Sequence, residues 1–121
     1  MSAEFKSEPL PPGEGDLGRL TADFSPLGIT TDENSYAIRV EGNAMDGAGI
    51  HDGDTVLVNH TDAKDGDSVV VAAGPAVMIR RLQKDEQGFD VLRSANPKTV
   101  DVRVGHHVRF KGVVVGLVRR L

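Results

Sequence analysis

From Ser35 onward the chain is broken at short, regular intervals by residues that make tight turns. Asp52-Gly53-Asp54, Asp65-Gly66-Asp67, Gly74-Pro75, the run 84–88 (KDEQG) and Asn96-Pro97 each combine the types that favour turns. Between them lie stretches too short for stable helices and rich in Val, Ile and Leu. Residues 36–40 alternate apolar and polar, as a half-buried strand does. Residues 55–58, 68–72, 76–82, 89–93, 100–104 and 108–120 complete a set of predicted strands. Turn signals every ~8–12 residues between short strands point to an all-β sandwich or partly open barrel. A short helical turn fits after Gly42, but no long helix and no internal repeat is visible.

A length of 121 residues suits one domain with a modest core. Aromatics make up only 4% of the chain, so that core must be built from aliphatic side chains. The absence of cysteine excludes disulfides, thiolate catalysis and cysteine-based zinc sites. No apolar run approaches the ~20 residues that a membrane-spanning helix needs. The first residues, MSAEFKSEPLPPGEG, lack the apolar centre of a signal peptide. The expectation is a cytoplasmic protein with no membrane partner.

Charge divides the chain. Residues 1–35 hold two basic and seven acidic groups, net −5, whereas the remainder holds twelve basic and eleven acidic, net +1. With Pro9, Pro11, Pro12, Gly13 and Gly15 near the start, residues 1–34 read as a flexible acidic arm, and residues 35–121 as the body. Short apolar pieces between 17 and 34 could lie along its surface. An acidic arm on a near-neutral body is a poor design for gripping phosphates, so direct DNA binding is not expected.

One segment is denser in turn formers than a connection requires. Residues 40–54, VEGNAMDGAGIHDGD, carry four glycines and three aspartates. A loop of this kind presents something at its centre, or it merely connects two strands while Met45 and Ile50 plug the core.

Three stretches, VEGNAM-DGAGIHDGDTVLV, DGDSVVVAAGPAVMIRRLQ and the terminal GVVVGLVRR, occur in an order and spacing that resemble the self-cleaving domain of LexA repressors and UmuD proteins. The resemblance covers about residues 35–121. It implies a LexA/UmuD-type β fold, a homodimer, and a serine–lysine dyad. In that family the serine of G-x-S-M is the nucleophile and the first lysine of V-K-R-L is its general base. A serine hydroxyl needs a neighbour to take its proton, and a lysine can do so only when burial lowers its pKa towards neutrality.

Neither residue is present. The nucleophile position is Ala44, flanked by Gly42, Asn43, Met45 and Asp46, and the base position is Arg80. A guanidinium keeps its proton and cannot act as a base. The family also cuts its own arm at an Ala-Gly or Cys-Gly bond. The pairs Ala48-Gly49 and Ala73-Gly74 both fall inside the predicted body, and Pro12-Gly13 is a poor substitute. A laboratory change would account for Ala44 and Arg80 but not for the missing bond. The chain therefore reads as a pseudo-peptidase with no functional catalytic residue.

If Arg80 faces the former site, its guanidinium needs carboxylate or carbonyl partners, with Asp46 and Glu41 as candidates; otherwise it extends to water. His106 and His107 are adjacent on a strand and would point to opposite faces, and the two Asp-Gly-Asp turns lack the remaining ligands of a calcium loop. No metal and no cofactor is expected. Arg119 and Arg120 read as solvated charges at a strand end. The last strand, with Val113, Val114, Val115, Leu117 and Val118, must be covered or paired: either it is buried in the core or, as the resemblance implies, it forms a dimer interface.

The function expected is a non-catalytic, protein-binding role in the DNA-damage (SOS) response. By resemblance its partners would be a translesion DNA polymerase, the RecA filament or another LexA/UmuD family member. Two alternatives stand beside it: an inactivated form of a serine–lysine autopeptidase, and an antirepressor that binds a LexA-type repressor.

Overall fold

The structure is a computed structural model that describes residues 16–19, 23–105 and 107–121. Its strands are β1 (Asp16–Arg19), β2 (Tyr36–Arg39), β3 (Thr55–Asn59), β4 (Ser68–Ala73), β5 (Ala76–Lys84), β6 (Asp90–Arg93), β7 (Val102–Arg103) and β8 (Val108–Val118). The only helical pieces among the described residues are 3-10 turns at Ser25–Leu27 and Asp46–Ala48. The fold is all-β, as the turn spacing predicts.

All pairings are antiparallel, and the strands join in one open sheet of order β1-β2-β3-β8-β4-β5-β6-β7. Two meanders, β1 to β3 and β4 to β7, are thus stitched together by the last strand. β8 pairs with β4 over Val108–Val113 and with β3 over Val113–Val118. The change of partner falls at a bend beside Gly112, whose φ of 142° is one that side-chain-bearing residues rarely adopt. A Cβ there would lie 2.5 Å from the Val58 side chain and 2.8 Å from the Asn59 carbonyl oxygen.

Two apolar clusters form the core. One contains Tyr36, Ile38, Val40, Met45, Ile50, Val56, Val58, Val70 and Ile79. The other contains Ala63, Val69, Val71, Leu82, Leu92, Val108, Phe110 and Val113. Val70 belongs to the first while its neighbours Val69 and Val71 belong to the second, so β4 is buried on both faces. That explains why residues 69–73 are continuously apolar rather than alternating.

The sheet reaches into the segment expected to be an arm. Asp16–Arg19 pairs with β2, with Asp16 opposite Ile38 and Arg19 opposite Tyr36. Residues 30–35 are also fastened: the Ser35 hydroxyl donates to Asn59 Oδ1 at 2.6 Å, and Asn59 Nδ2 donates to the Thr30 carbonyl at 2.6 Å. Ile29 lies against Gly116, where a Cβ would sit 2.7 Å from its Cδ1. The boundary at residue 34 therefore moves towards the N-terminus. Pro12-Gly13 and the rest of residues 1–15 lie outside the described residues, as does His106.

The aspartates of both Asp-Gly-Asp turns are occupied by the backbone. Asp52 accepts from the Gly42 N–H at 2.7 Å, Asp65 from the Lys84 N–H at 2.9 Å, and Asp67 from the Lys64 N–H at 2.8 Å. No cluster of three or more metal-ligating side chains occurs among the described residues. No helix among them is long and apolar enough to cross a membrane.

Candidate functional site: a cleft beneath a braced loop

The loop between β2 and β3 is anchored from below and from the side. Met45 and Ile50 are buried in the first core cluster, so the apolar plugs read from the sequence are real. The connection after β6 braces the loop laterally. The Ala95 N–H donates to the Ala44 carbonyl at 2.7 Å, the Gly47 N–H donates to the Ala95 carbonyl at 2.8 Å, and Asn96 Nδ2 donates to the Asn43 carbonyl at 3.0 Å. Gly47 is required at this strut, because a Cβ would fall 2.6 Å from the Ala95 oxygen.

A third anchor comes from the far end of the chain. Arg119 Nε donates to Asp54 Oδ1 at 2.8 Å, and Nη2 donates to Asp54 Oδ2 at 2.7 Å and to the Gly49 carbonyl at 2.9 Å. Asp54 Oδ2 also accepts from the His51 N–H at 2.7 Å. The side-chain hydrogen bonds from Arg119, followed by that backbone donor, hold the Asp54 carboxyl down at about 2. Arg119, read from the sequence as a solvated charge, instead clamps the end of β8 to the loop. Its partner lies 65 residues away in the chain, and no local pattern announces such a pairing.

Ala44 is partly buried in this braced loop. It and Arg80 line one cleft of about 540 Å³. Gly42, Asn43 and Met45 line the same cleft, with Ile38, Val40, Val77, Met78 and Ile79 supplying apolar surface. Asp46 is outside it, exposed on the 3-10 turn, with its Oδ1 2.9 Å from His51 Nδ1.

The partners expected for Arg80 are not the ones it has. Neither Asp46 nor Glu41 hydrogen-bonds it. Its Nη1 donates to the Ile79 carbonyl at 2.7 Å, and its Nε is buried without an acceptor. Burial lowers the guanidinium pKa, and the charge of Asp101 partly offsets this. Asp101 in turn is held by Arg93 Nη1 at 3.1 Å and by the Ser94 N–H at 3.0 Å. Arg80 is thus half-buried and unsaturated, a cation at the wall of the cleft.

The residues named for a dimer interface divide. Val113 is 7% exposed and its side chain belongs to the second core cluster, because β8 is central in the sheet rather than an edge. Val114 and Leu117 pack against the first cluster and Val115 against the second. Val118 is 51% exposed. Past Val113 the β4-facing edge of β8 carries no strand among the described residues.

What the cleft can do follows from its lining. Ala44 offers no hydroxyl, and Arg80 offers hydrogen-bond donors without a basic lone pair. The cleft can bind, but its two central positions supply neither a nucleophile nor a base.

The family model described as Peptidase S24-like matches residues 12–115. The LexA repressor of Verrucomicrobium spinosum is 31% identical over 102 residues, which are 84% of this chain and 50% of that protein. The LexA repressor of Delftia acidovorans is 38% identical over 87 residues, 69% of this chain and 38% of that protein. The LexA repressor of Burkholderia vietnamiensis is 34% identical over 95 residues, 75% of this chain and 44% of that protein. The chain spans half or less of the length of these relatives. With the match beginning at residue 12, where β1 follows closely, and enclosing both Ala44 and Arg80, the chain belongs to the Peptidase S24-like family and has a LexA/UmuD-type domain.

Proposed function

We propose that this chain is a non-catalytic member of its family and acts by binding other proteins in the SOS response. One observation carries the reading: the cleft is lined by Ala44 and Arg80, which by resemblance stand where the family has its serine and its lysine. Loss of the serine alone would leave a buried lysine with nothing to activate. Here the second position is also filled by a group that does not deprotonate in proteins. The loop nevertheless keeps its braces to Ala95, Asn96 and Arg119, which supports a role for its shape.

The partners proposed are a translesion DNA polymerase, the RecA filament or another LexA/UmuD family member, with a cytoplasmic location and no direct contact to DNA. A homodimer is proposed across the open edge of β8, residues 114–118. Its expected signature is a dimer in sedimentation that Val118→Asp converts to monomer while the circular dichroism stays unchanged. A monomeric parent protein would remove this part of the proposal.

The function itself is tested by affinity capture of the intact protein from its source cells, before and after DNA damage. Recovery of a translesion polymerase or RecA places the chain among polymerase managers. Recovery of a LexA-type repressor alone makes it a regulator of transcription, a reading favoured by the matched relatives being LexA repressors. An antirepressor would then lower repressor occupancy on DNA. An inactivated autopeptidase would instead regain prompt cleavage of its N-terminal segment when Ala44→Ser and Arg80→Lys are combined.

A further inference from the structure

β5 is paired on one edge along its first part and on the other along its last part, the two pairings overlapping at Arg81. It pairs with β4 over Ala76–Arg81, whereas its pairing with β6 is confined to Arg81–Lys84. From Ala76 to Arg80 the edge away from β4 therefore carries no strand among the described residues. Val77, Met78, Ile79 and Arg80 in this stretch also line the cleft. An open strand edge inside a concave site is a template for an extended peptide, which adds backbone hydrogen bonds along the edge and sets alternate side chains into the walls.

The chemistry of the wall narrows the occupant. The ionisable groups lining the cleft are Arg39, Glu41 and Arg80. Arg80 donates to the Ile79 carbonyl from Nη1, and no other hydrogen bond from its guanidinium occurs among the described residues. Its half-buried position and its bond to Ile79 limit the freedom of the planar fork. A planar fork with spare donors matches a carboxylate, which accepts two parallel bonds from it. Glu41 and Asp101 oppose this: Glu41 is exposed at the cleft and Asp101 acts on Arg80 through its charge, but neither hydrogen-bonds the fork.

We infer that the cleft binds an extended segment of a partner protein and that Arg80 selects a segment bearing an Asp or Glu side chain. This rests on the non-catalytic reading above and adds the chemistry of the ligand. The residue that replaces a general base thereby becomes the determinant of specificity.

The test is selection of terminally blocked random heptapeptides on the immobilised full chain, with recovered peptides read by mass spectrometry. Asp and Glu are expected to be enriched about ten- to a hundredfold over Asn and Gln at one position, the range of charge-assisted hydrogen bonds. Arg80→Gln should abolish that preference and Arg80→Lys should keep part of it, with thermal melts showing that both variants are folded. Equal recovery of acidic and amide peptides, or a preference that survives Arg80→Gln, overturns the inference. Arg80-dependent binding of a synthetic peptide of residues 1–15, without acidic enrichment from the pool, would replace the partner segment with the chain's own. Uncut peptides with no acidic preference defeat the carboxylate inference alone, whereas cut peptides defeat the non-catalytic reading beneath it.

Discussion

The loop around Ala44 and the wall around Arg80 face one cleft but are built differently. The loop is saturated: Ala44, Gly47, Gly49 and Asn43 all have backbone groups engaged by Ala95, Asn96 or Arg119. Arg80 has one carbonyl partner and a buried Nε with none. The loop is firmly supported although the side chain at its centre is a methyl group. The wall carries a guanidinium with unsatisfied donors and no basic lone pair. Shape and chemistry are thus separable in this fold: the hydrogen bonds that hold the loop use backbone groups of Asn43, Ala44, Gly47 and Gly49 and the Asp52 and Asp54 carboxylates, and none involves the side chain at residue 44.

The comparison can be broken most forcibly from beneath. Leu82 and Leu92 are fully buried in the second core cluster. Leu82→Ala is expected to cost about 2–5 kcal/mol through lost burial and a residual cavity, read in a urea titration. Loop and wall should then unfold together. Separate transitions would show that they are independent of the common sheet.

A smaller and more local effect is expected from Gly47→Val. The added side chain meets the Ala95 carbonyl and should pry the loop from its brace. Amide exchange at Met45 to Ile50 should accelerate severalfold while that of β4 and β8 stays protected. Unchanged exchange in the loop would show that the Ala95 strut does not hold it.

The smallest effect belongs to the Arg119 clamp and depends on pH. Asp54 titrates near 2 in the fold, below its ordinary 3.8, so the folded state favours the ionised carboxylate. Its stabilising contribution is complete above the ordinary value and is lost as pH falls towards 2. Arg119→Ala should lower the melting temperature near neutral pH, and the difference from the parent should shrink below about pH 4 and be largely lost as pH falls through about 2. A difference that persists there would assign the effect to packing of the arginine stem.

Much of this organisation was legible before any coordinates. Turn residues placed β3 to β6 within a residue or two, because Asp-Gly-Asp and Gly-Pro constrain the backbone locally. Met45 and Ile50 stood out as apolar residues in a polar loop. Three features were not legible, each for a physical reason. The strand at Asp16–Arg19, sequence DLGR, has little intrinsic strand preference and is held by pairing with β2. The central place of β8 follows from contacts with β3 and β4 that are distant in sequence, so its apolar run leaves core burial and a dimer contact equally open. The partners of Arg80 and Arg119 depend on which strand ends meet, and charge alone pointed Arg80 to the wrong carboxylates.

The central claim is that the cleft binds without cutting. Its most direct test is intact-mass spectrometry of the purified full chain after incubation from neutral to alkaline pH, alone and with a RecA filament. One undiminished mass is expected under every condition, and the same for Ala44→Ser alone, since Arg80 still provides no base. A time-dependent fragment produced by the parent protein through cleavage of its N-terminal segment would contradict it.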